Sequence, residues 1–74
     1  MTHEEQKKMG LTMIETLVEE LEKNRAAGYL RQAKGAFERA CGVILALAIT
    51  EIISSAEEKE LREELYQKHY VYVQ

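Results

Sequence analysis

Residues 40–53 read ACGVILALAITEII. Only Gly42, Thr50 and Glu51 interrupt the apolar character of this segment. At about 100° per residue, the apolar side chains fall on every side of a helix, and such a helix must be covered on every side. Residues 40–50 are too few for a bilayer, which requires about twenty, so we predict a buried helix segment and no membrane span.

The composition of the whole chain favours helices. The chain has 74 residues, of which 46% are hydrophobic and 31% are charged, and it contains no proline. This mixture is too apolar for a disordered chain, and turn residues are too rare for a β-sandwich or a barrel. We therefore predict one all-α domain over residues 1–74, built as a helical hairpin plus a third helix.

The helix limits follow from apolar spacing and capping residues. We predict helices at residues 3–24, 29–53 and 55–69, followed by a short C-terminal tail. Thr2 and Glu5 form a predicted capping box at the first helix, and Ser55 and Glu58 form another at the third, which opens at Ser54 or Ser55. A turn is predicted within residues 24–28, although one long kinked helix is the alternative in a chain without proline.

The second helix lacks sufficient cover from its own chain. The first and third helices each offer only a narrow apolar stripe, which cannot enclose residues 40–53. Small scaffolds without disulfides or metals often complete their core by oligomerising. We therefore predict a helix-bundle homo-oligomer, a homodimer or larger, whose interface contains Phe37, Ala40, Val43, Ile44, Leu45, Leu47, Ile49 and Ile52.

Gly28, Gly35 and Gly42 recur at seven-residue intervals and so lie near one face of the second helix. A glycine inside a helix costs about 1 kcal/mol relative to alanine. We predict that Gly35 and Gly42 offset this cost by allowing close helix–helix packing. The alternative is that both glycines are merely tolerated on that face.

The residues that usually carry catalysis are sparse. His3 and His69 lie at opposite ends of the chain, and neither has metal-ligand spacing to a cysteine or another histidine. Cys41 is the only cysteine and lies in an apolar run, where a thiol is usually buried and inert. The glutamates occur in runs typical of solvated faces, and no glycine-rich phosphate loop is present. We therefore expect no enzyme, no cofactor and no metal site.

Basic residues cluster where the second helix begins. Arg25, Tyr29, Arg31 and Lys34 form a candidate site for a nucleotide or another small anion, because arginines and helix-start N–H groups bind phosphate. The alternative is ion pairing with the glutamate-rich helices. The patch is too small, and the chain too acidic at a net charge of −3, for duplex DNA.

The C-terminal tyrosines are the second surface feature. Tyr66, Tyr70 and Tyr72 are candidates for binding a partner protein, because tyrosine is common in interface hot spots. The alternative is that they pack against the first helix of the same chain.

These features together predict a small non-enzymatic interaction protein. We expect a homo-oligomeric regulator, adaptor or inhibitor that binds and occludes another protein, a class that includes phage-encoded inhibitors. The alternative is an oligomeric binder of small anions such as nucleotides. Residues 1–8 lack the apolar stretch of a secretory signal, so we expect a cytoplasmic protein.

Overall fold

The computed structural model describes residues 2–73 and contains three helices: α1 (His3–Ala26), α2 (Leu30–Ile49) and α3 (Ser55–Val73). The central helix α2 packs against both α1 and α3. The predicted all-α architecture of a hairpin plus a third helix is therefore confirmed. Met1 and Gln74, which belong to the predicted domain and tail, lie outside the described residues.

Helix α1 begins as the sequence predicts. The side-chain oxygen of Thr2 accepts a hydrogen bond from the backbone N–H of Glu5 at 3.1 Å. The helix extends to Ala26, two residues beyond the predicted limit, and the chain then turns at Gly28, whose φ is 82°. Glycine adopts this left-handed conformation without a steric penalty, so the two helices form a hairpin and not one kinked rod.

Helix α2 ends at Ile49, not at Ile53 as predicted. The hydroxyl of Thr50 donates to the carbonyl of Ala46 at 2.7 Å, and Glu51 adopts a φ of 61°. The N–H of Ile53 then bonds back to the carbonyl of Leu47 at 3.2 Å. Residues 50–53 therefore form a turn that still buries the Ile53 side chain. Because Ile53 is apolar and buried, the sequence pattern is the same as that of a longer helix.

Helix α3 differs from the prediction at both ends. Its capping box pairs Ser54 with Glu57, one residue before the predicted pair: the Glu57 N–H donates to Ser54 Oγ at 3.1 Å, and the Ser54 N–H donates to Glu57 Oε1 at 3.0 Å. The predicted C-terminal tail is wrong for residues 70–73, because α3 continues to Val73. Val73 is buried, and this packing favours helix over the extended conformation typical of its β-branched side chain.

The core lies along the inner face of α2. Leu21 of α1 and Ile44 of α2 are fully enclosed, and alanines at 33, 36 and 40 have no exposed surface. The close approach between α1 and α2 occurs at Gly10, where an added Cβ would lie 2.6 Å from a methyl carbon of Leu47. A glycine on α1, not one on α2, thus sets the spacing of the hairpin.

Candidate interaction surfaces

The outer face of α2 carries large apolar side chains that the chain leaves uncovered. Leu45 is 55% exposed and Ile49 is 71% exposed. Gly35 and Gly42 lie on the same side of the helix, since positions 35, 42, 45 and 49 follow spacings of seven, three and four. We call these four residues the outer face of α2.

This surface continues onto α1. Met9 and Met13 are each 52% exposed and stand one helical turn apart. They border an open groove of about 360 Å³ between α1 and α2, whose wall includes Val43 and Ala46 beside the outer face. The two helices thus present adjoining apolar side chains along one side of the molecule.

The residues predicted for the oligomer interface divide into three groups. Phe37, Ala40, Ile44 and Leu47 are buried by the helices of their own chain. The prediction that these four residues form an intermolecular interface is therefore wrong. Val43 and Ile52 are half-buried and pack against the core. Leu45 and Ile49 alone of the eight are largely exposed. The reason is that α1 and α3 cover more of α2 than their narrow stripes indicated.

The predicted close packing at Gly35 and Gly42 is wrong for the helices of this chain. A Cβ built at either position meets no atom of another side chain or helix within 4 Å among the described residues. Both glycines face outward, away from α1 and α3. Whether they allow close packing against a second copy stays a prediction.

The four residues of the basic cluster have different surroundings. The Arg25 guanidinium lies 4.0 Å from the centre of the Tyr72 ring, in a cation–π contact between α1 and α3. Tyr29 caps α2 without a side-chain hydrogen bond, and Arg31 and Lys34 are exposed. Arg25 is thus occupied by a structural contact, and the anion site stays a prediction.

Two of the C-terminal tyrosines, Tyr66 and Tyr70, pack against α2, whereas Tyr72 packs against Arg25 of α1. The rings of Tyr66 and Tyr70 stack at a centroid distance of 5.1 Å. Both rings contact Phe37, at 5.2 Å and 6.0 Å, and thereby bury it. Together with Tyr72, which contacts Arg25, they keep 43–50% of their surface exposed. The tyrosines therefore shield buried residues on one side and face solvent on the other. Their role in partner binding stays a prediction.

A further surface, which the sequence did not reveal, lies between α1 and α3. It is an open groove of about 580 Å³ whose walls carry apolar residues at the base and charged residues at the rims. We call it the acidic groove; it is lined by Leu11, Ile14, Glu15, Val18, Glu19, Glu22, Leu61, Glu64, Leu65, Lys68 and His69.

Cross-contacts join α1 to α3 beyond both ends of the acidic groove. At one end the ammonium group of Lys7 donates a hydrogen bond to the Glu57 carboxylate in an ion pair. This hydrogen bond lowers the pKa of the Glu57 carboxyl to about 2. At the other end Arg25 covers Tyr72. Because the starts of the two helices meet each other, as do their ends, α1 and α3 run parallel.

His69 is the buried titratable group of the acidic groove. It is 6% exposed, and its Nδ1 atom has no hydrogen-bond partner in the part of the chain that the structure describes. Its Nε2 lies 3.9 Å from a carboxylate oxygen of Glu22, which is too long for a hydrogen bond. Burial lowers the pKa of His69, and the nearby Glu22 charge opposes that shift.

Other chemistry is limited in the described chain. Cys41 is half-buried, and burial raises the pKa of its thiol. Residues 2–73 contain no group of three or more histidine, cysteine or carboxylate side chains placed to hold a metal ion. Within the same residues, no helix has both the length and the apolar character that crossing a membrane requires.

Comparisons with models of protein families, with curated proteins and with solved structures found no match to this chain.

Proposed function

We propose that this chain is a small non-enzymatic interaction protein that forms a homo-oligomer and acts by binding and occluding another protein. The observation that supports this most is the exposure of Leu45 and Ile49 on the outer face of α2. Burying one such side chain completely contributes about 1.5–3 kcal/mol. Exposed apolar patches of this kind in small proteins mark interaction sites.

A second copy of the chain fits the outer face of α2. In an antiparallel pair of α2 helices centred on Gly42, residue 35 of one copy lies opposite residue 49 of the other, because the two numbers average 42. The large side chain of Ile49 then faces the space that Gly35 leaves open. Such a pairing is isologous and closes after two copies.

The charges near the ends of α2 favour the same antiparallel pairing. Arg31 and Lys34 are exposed near the start of α2, and Glu51 is exposed just past its end. An antiparallel pair brings the basic start of one helix beside the acidic end of the other, where opposite charges and opposite helix dipoles attract. A parallel pair would place like charges together.

The proposal of a non-enzymatic role is supported by the state of the nucleophile and of the buried histidine. The raised pKa of Cys41 leaves little of the reactive thiolate at neutral pH. His69 is buried with a lowered pKa, and its nearest carboxylate lies beyond hydrogen-bond distance. Neither residue has the geometry of an activated nucleophile or a general base.

Light scattering on the wild type and two variants tests the self-association. We expect the wild-type chain to have twice its monomer mass of 8.5 kDa. Ile49→Glu should be a monomer, because two carboxylates would be buried in the pair. Val71→Glu is the matched control, since Val71 is 63% exposed on α3 and should leave the dimer intact. A monomeric wild type, or an unchanged mass for Ile49→Glu, contradicts the proposal.

A further inference from the structure

We propose that the acidic groove binds an amphipathic helix of a partner protein that carries lysine and arginine beside its apolar stripe. This inference rests on the proposed function, because it names the kind of partner that the protein would bind. It uses a different surface from the outer face of α2, so the two proposals are tested separately.

The shape of the acidic groove suits a helix. It follows α1 from Leu11 to Glu22, a length of about 16 Å at 1.5 Å per residue, or three helical turns. Helices α1 and α3 run parallel on either side, both pack mainly against α2, and the ion pair and cation–π contact between them lie beyond the ends of the groove. A helix lying in the groove would complete a four-helix arrangement and cover its apolar base.

The base of the acidic groove matches one apolar stripe. Ile14 and Leu65 are buried, whereas Leu11, Val18 and Leu61 are half-buried and remain open to the groove. Helix-in-groove recognition uses apolar side chains at positions i, i+3 or i+4, and i+7 of the bound helix. The partner therefore needs such a stripe.

The rims of the acidic groove define the charge of the partner. Glu15, Glu19, Glu22 and Glu64 line it against a single cation, Lys68. Lys68 bonds to Glu64 at 2.8 Å, so these two charges compensate each other. Within residues 2–73, the three glutamates on α1 form no ion pair with lysine or arginine. Cationic side chains of a partner would therefore neutralise negative charges that the chain itself leaves unpaired.

His69 is an independent indication that an interaction is missing from the free chain. Its ring lines the acidic groove, and its Nδ1 is buried without a partner among the described residues. Buried polar atoms in folded proteins are nearly always hydrogen-bonded, and the exceptions call for an explanation. A polar group of a bound helix that reaches Nδ1 would provide the missing bond.

The acid row also excludes other occupants. The phosphates of nucleic acids and of anionic membranes would be repelled by the glutamates of α1. A second copy of this chain is assigned to the outer face of α2. The groove is therefore left for a different protein of opposite charge.

Fluorescence anisotropy with labelled synthetic helices tests this inference. The probe is an amphipathic peptide of about 15 residues with leucine on one face and lysine on both flanks. One control peptide replaces every lysine by glutamate, and another keeps the composition but scrambles the leucine spacing. The protein is used as wild type, as Glu19→Lys/Glu22→Lys, and as Glu63→Lys, which changes an exposed glutamate outside the groove.

We expect the lysine peptide to bind the wild type and Glu63→Lys equally, and to bind Glu19→Lys/Glu22→Lys roughly tenfold more weakly, because each reversed charge changes an exposed ion pair into a repulsion. Both control peptides should bind at least tenfold more weakly than the lysine peptide. Equal binding of the glutamate or scrambled peptide, or unchanged binding by the double variant, would overturn the inference, as would absence of binding to the lysine peptide.

Two further measurements separate this inference from the proposed function. The lysine peptide should also bind the monomeric Ile49→Glu variant, since the acidic groove does not include position 49. Peptide binding should shift the NMR signals of the His69 ring, because that ring lines the groove. If Glu19→Lys/Glu22→Lys instead abolishes dimer formation in light scattering, a second copy occupies the groove and the inference is wrong.

Discussion

Replacing Gly10 by alanine should destabilise the protein, because this glycine sets the spacing between α1 and α2. The added Cβ would lie 2.6 Å and 2.7 Å from the two methyl carbons of Leu47 and 3.1 Å from its Cγ. Leu47 is 7% exposed, and its Cγ is crowded as well as both methyl carbons, so the whole side chain would have to shift towards the open groove between α1 and α2 that it also lines. Overpacking of this kind costs about 1–3 kcal/mol, against a helix-propensity gain of about 1 kcal/mol. We expect a net loss of up to about 2 kcal/mol.

The matched control is Gly35→Ala, which should have the opposite sign. A Cβ at position 35 meets no neighbouring atom within 4 Å among the described residues, so only the helix-propensity gain of about 1 kcal/mol applies. For a domain of this size, 1 kcal/mol corresponds to a Tm change of about 4–8 °C. Gly10→Ala should therefore lower Tm, and Gly35→Ala should raise it.

Circular dichroism measures the change in the free energy of unfolding of each variant during urea unfolding, and the change in Tm during heating. The protein should be diluted until light scattering shows only monomer, so that self-association does not contribute to the free energy of unfolding. If Gly10→Ala is as stable as the wild type or more stable, then α1 does not approach α2 closely at Gly10 and this packing is wrong. A destabilised Gly35→Ala would contradict the open space beside position 35.

Three titratable groups give further predictions. Burial lowers the pKa of His69 below its usual 6.5, so the unfolded chain takes up a proton before the folded chain does as the pH falls. The free energy of unfolding should therefore be unaffected by His69 above about pH 6.5 and should decrease as the pH falls from there through the folded-state pKa. Urea unfolding across this range should show no such decrease in His69→Gln. The pKa of Glu57, held at about 2 by the hydrogen bond from Lys7, predicts a stability contribution that is present above the ordinary value of 4.5 and is lost as the pH falls towards 2; a Lys7→Met variant with the same pH profile as wild type would refute it. Burial raises the pKa of Cys41, so iodoacetamide at pH 8 should modify the folded chain more slowly than the chain unfolded in urea, and equal rates would contradict this.

The sequence was sufficient to predict the number and order of the helices. Apolar spacing in α1 and the hydroxyl of Thr2 are local signals, and both act within a few residues of chain. The turn at Gly28 is local as well. The end of α2 was not predictable in this way, because Ile53 is buried by a turn whose path depends on the left-handed conformation of Glu51.

The inward and outward members of the apolar segment could not be separated by periodicity. Residues on every side of α2 are apolar, so their burial depends on where α1 and α3 lie. Phe37 is covered because Tyr66 and Tyr70 reach across from α3, a long-range contact that no local pattern shows. Ile49 stays exposed because neither neighbouring helix reaches that side.

The acidic groove was missed for a similar reason. Glu15, Glu19 and Glu22 follow helical spacing beside Leu11 and Val18, and this pattern alone is typical of a solvated helix face. The groove exists only because α3 lies parallel to α1 and leaves a gap along it. The pairing of two helices that are distant in sequence is the information that the local pattern lacked.

Disulfide trapping tests most directly whether two copies meet through the outer face of α2. In a Cys41→Ser background, antiparallel pairing centred on position 42 brings the two cysteines of Gly42→Cys together, within reach of a disulfide. We predict that oxidised glutathione converts Gly42→Cys rapidly to a covalent dimer on a non-reducing gel, while Val71→Cys, exposed on α3, stays monomeric. Equal cross-linking of the two variants, or none in Gly42→Cys, would contradict the account.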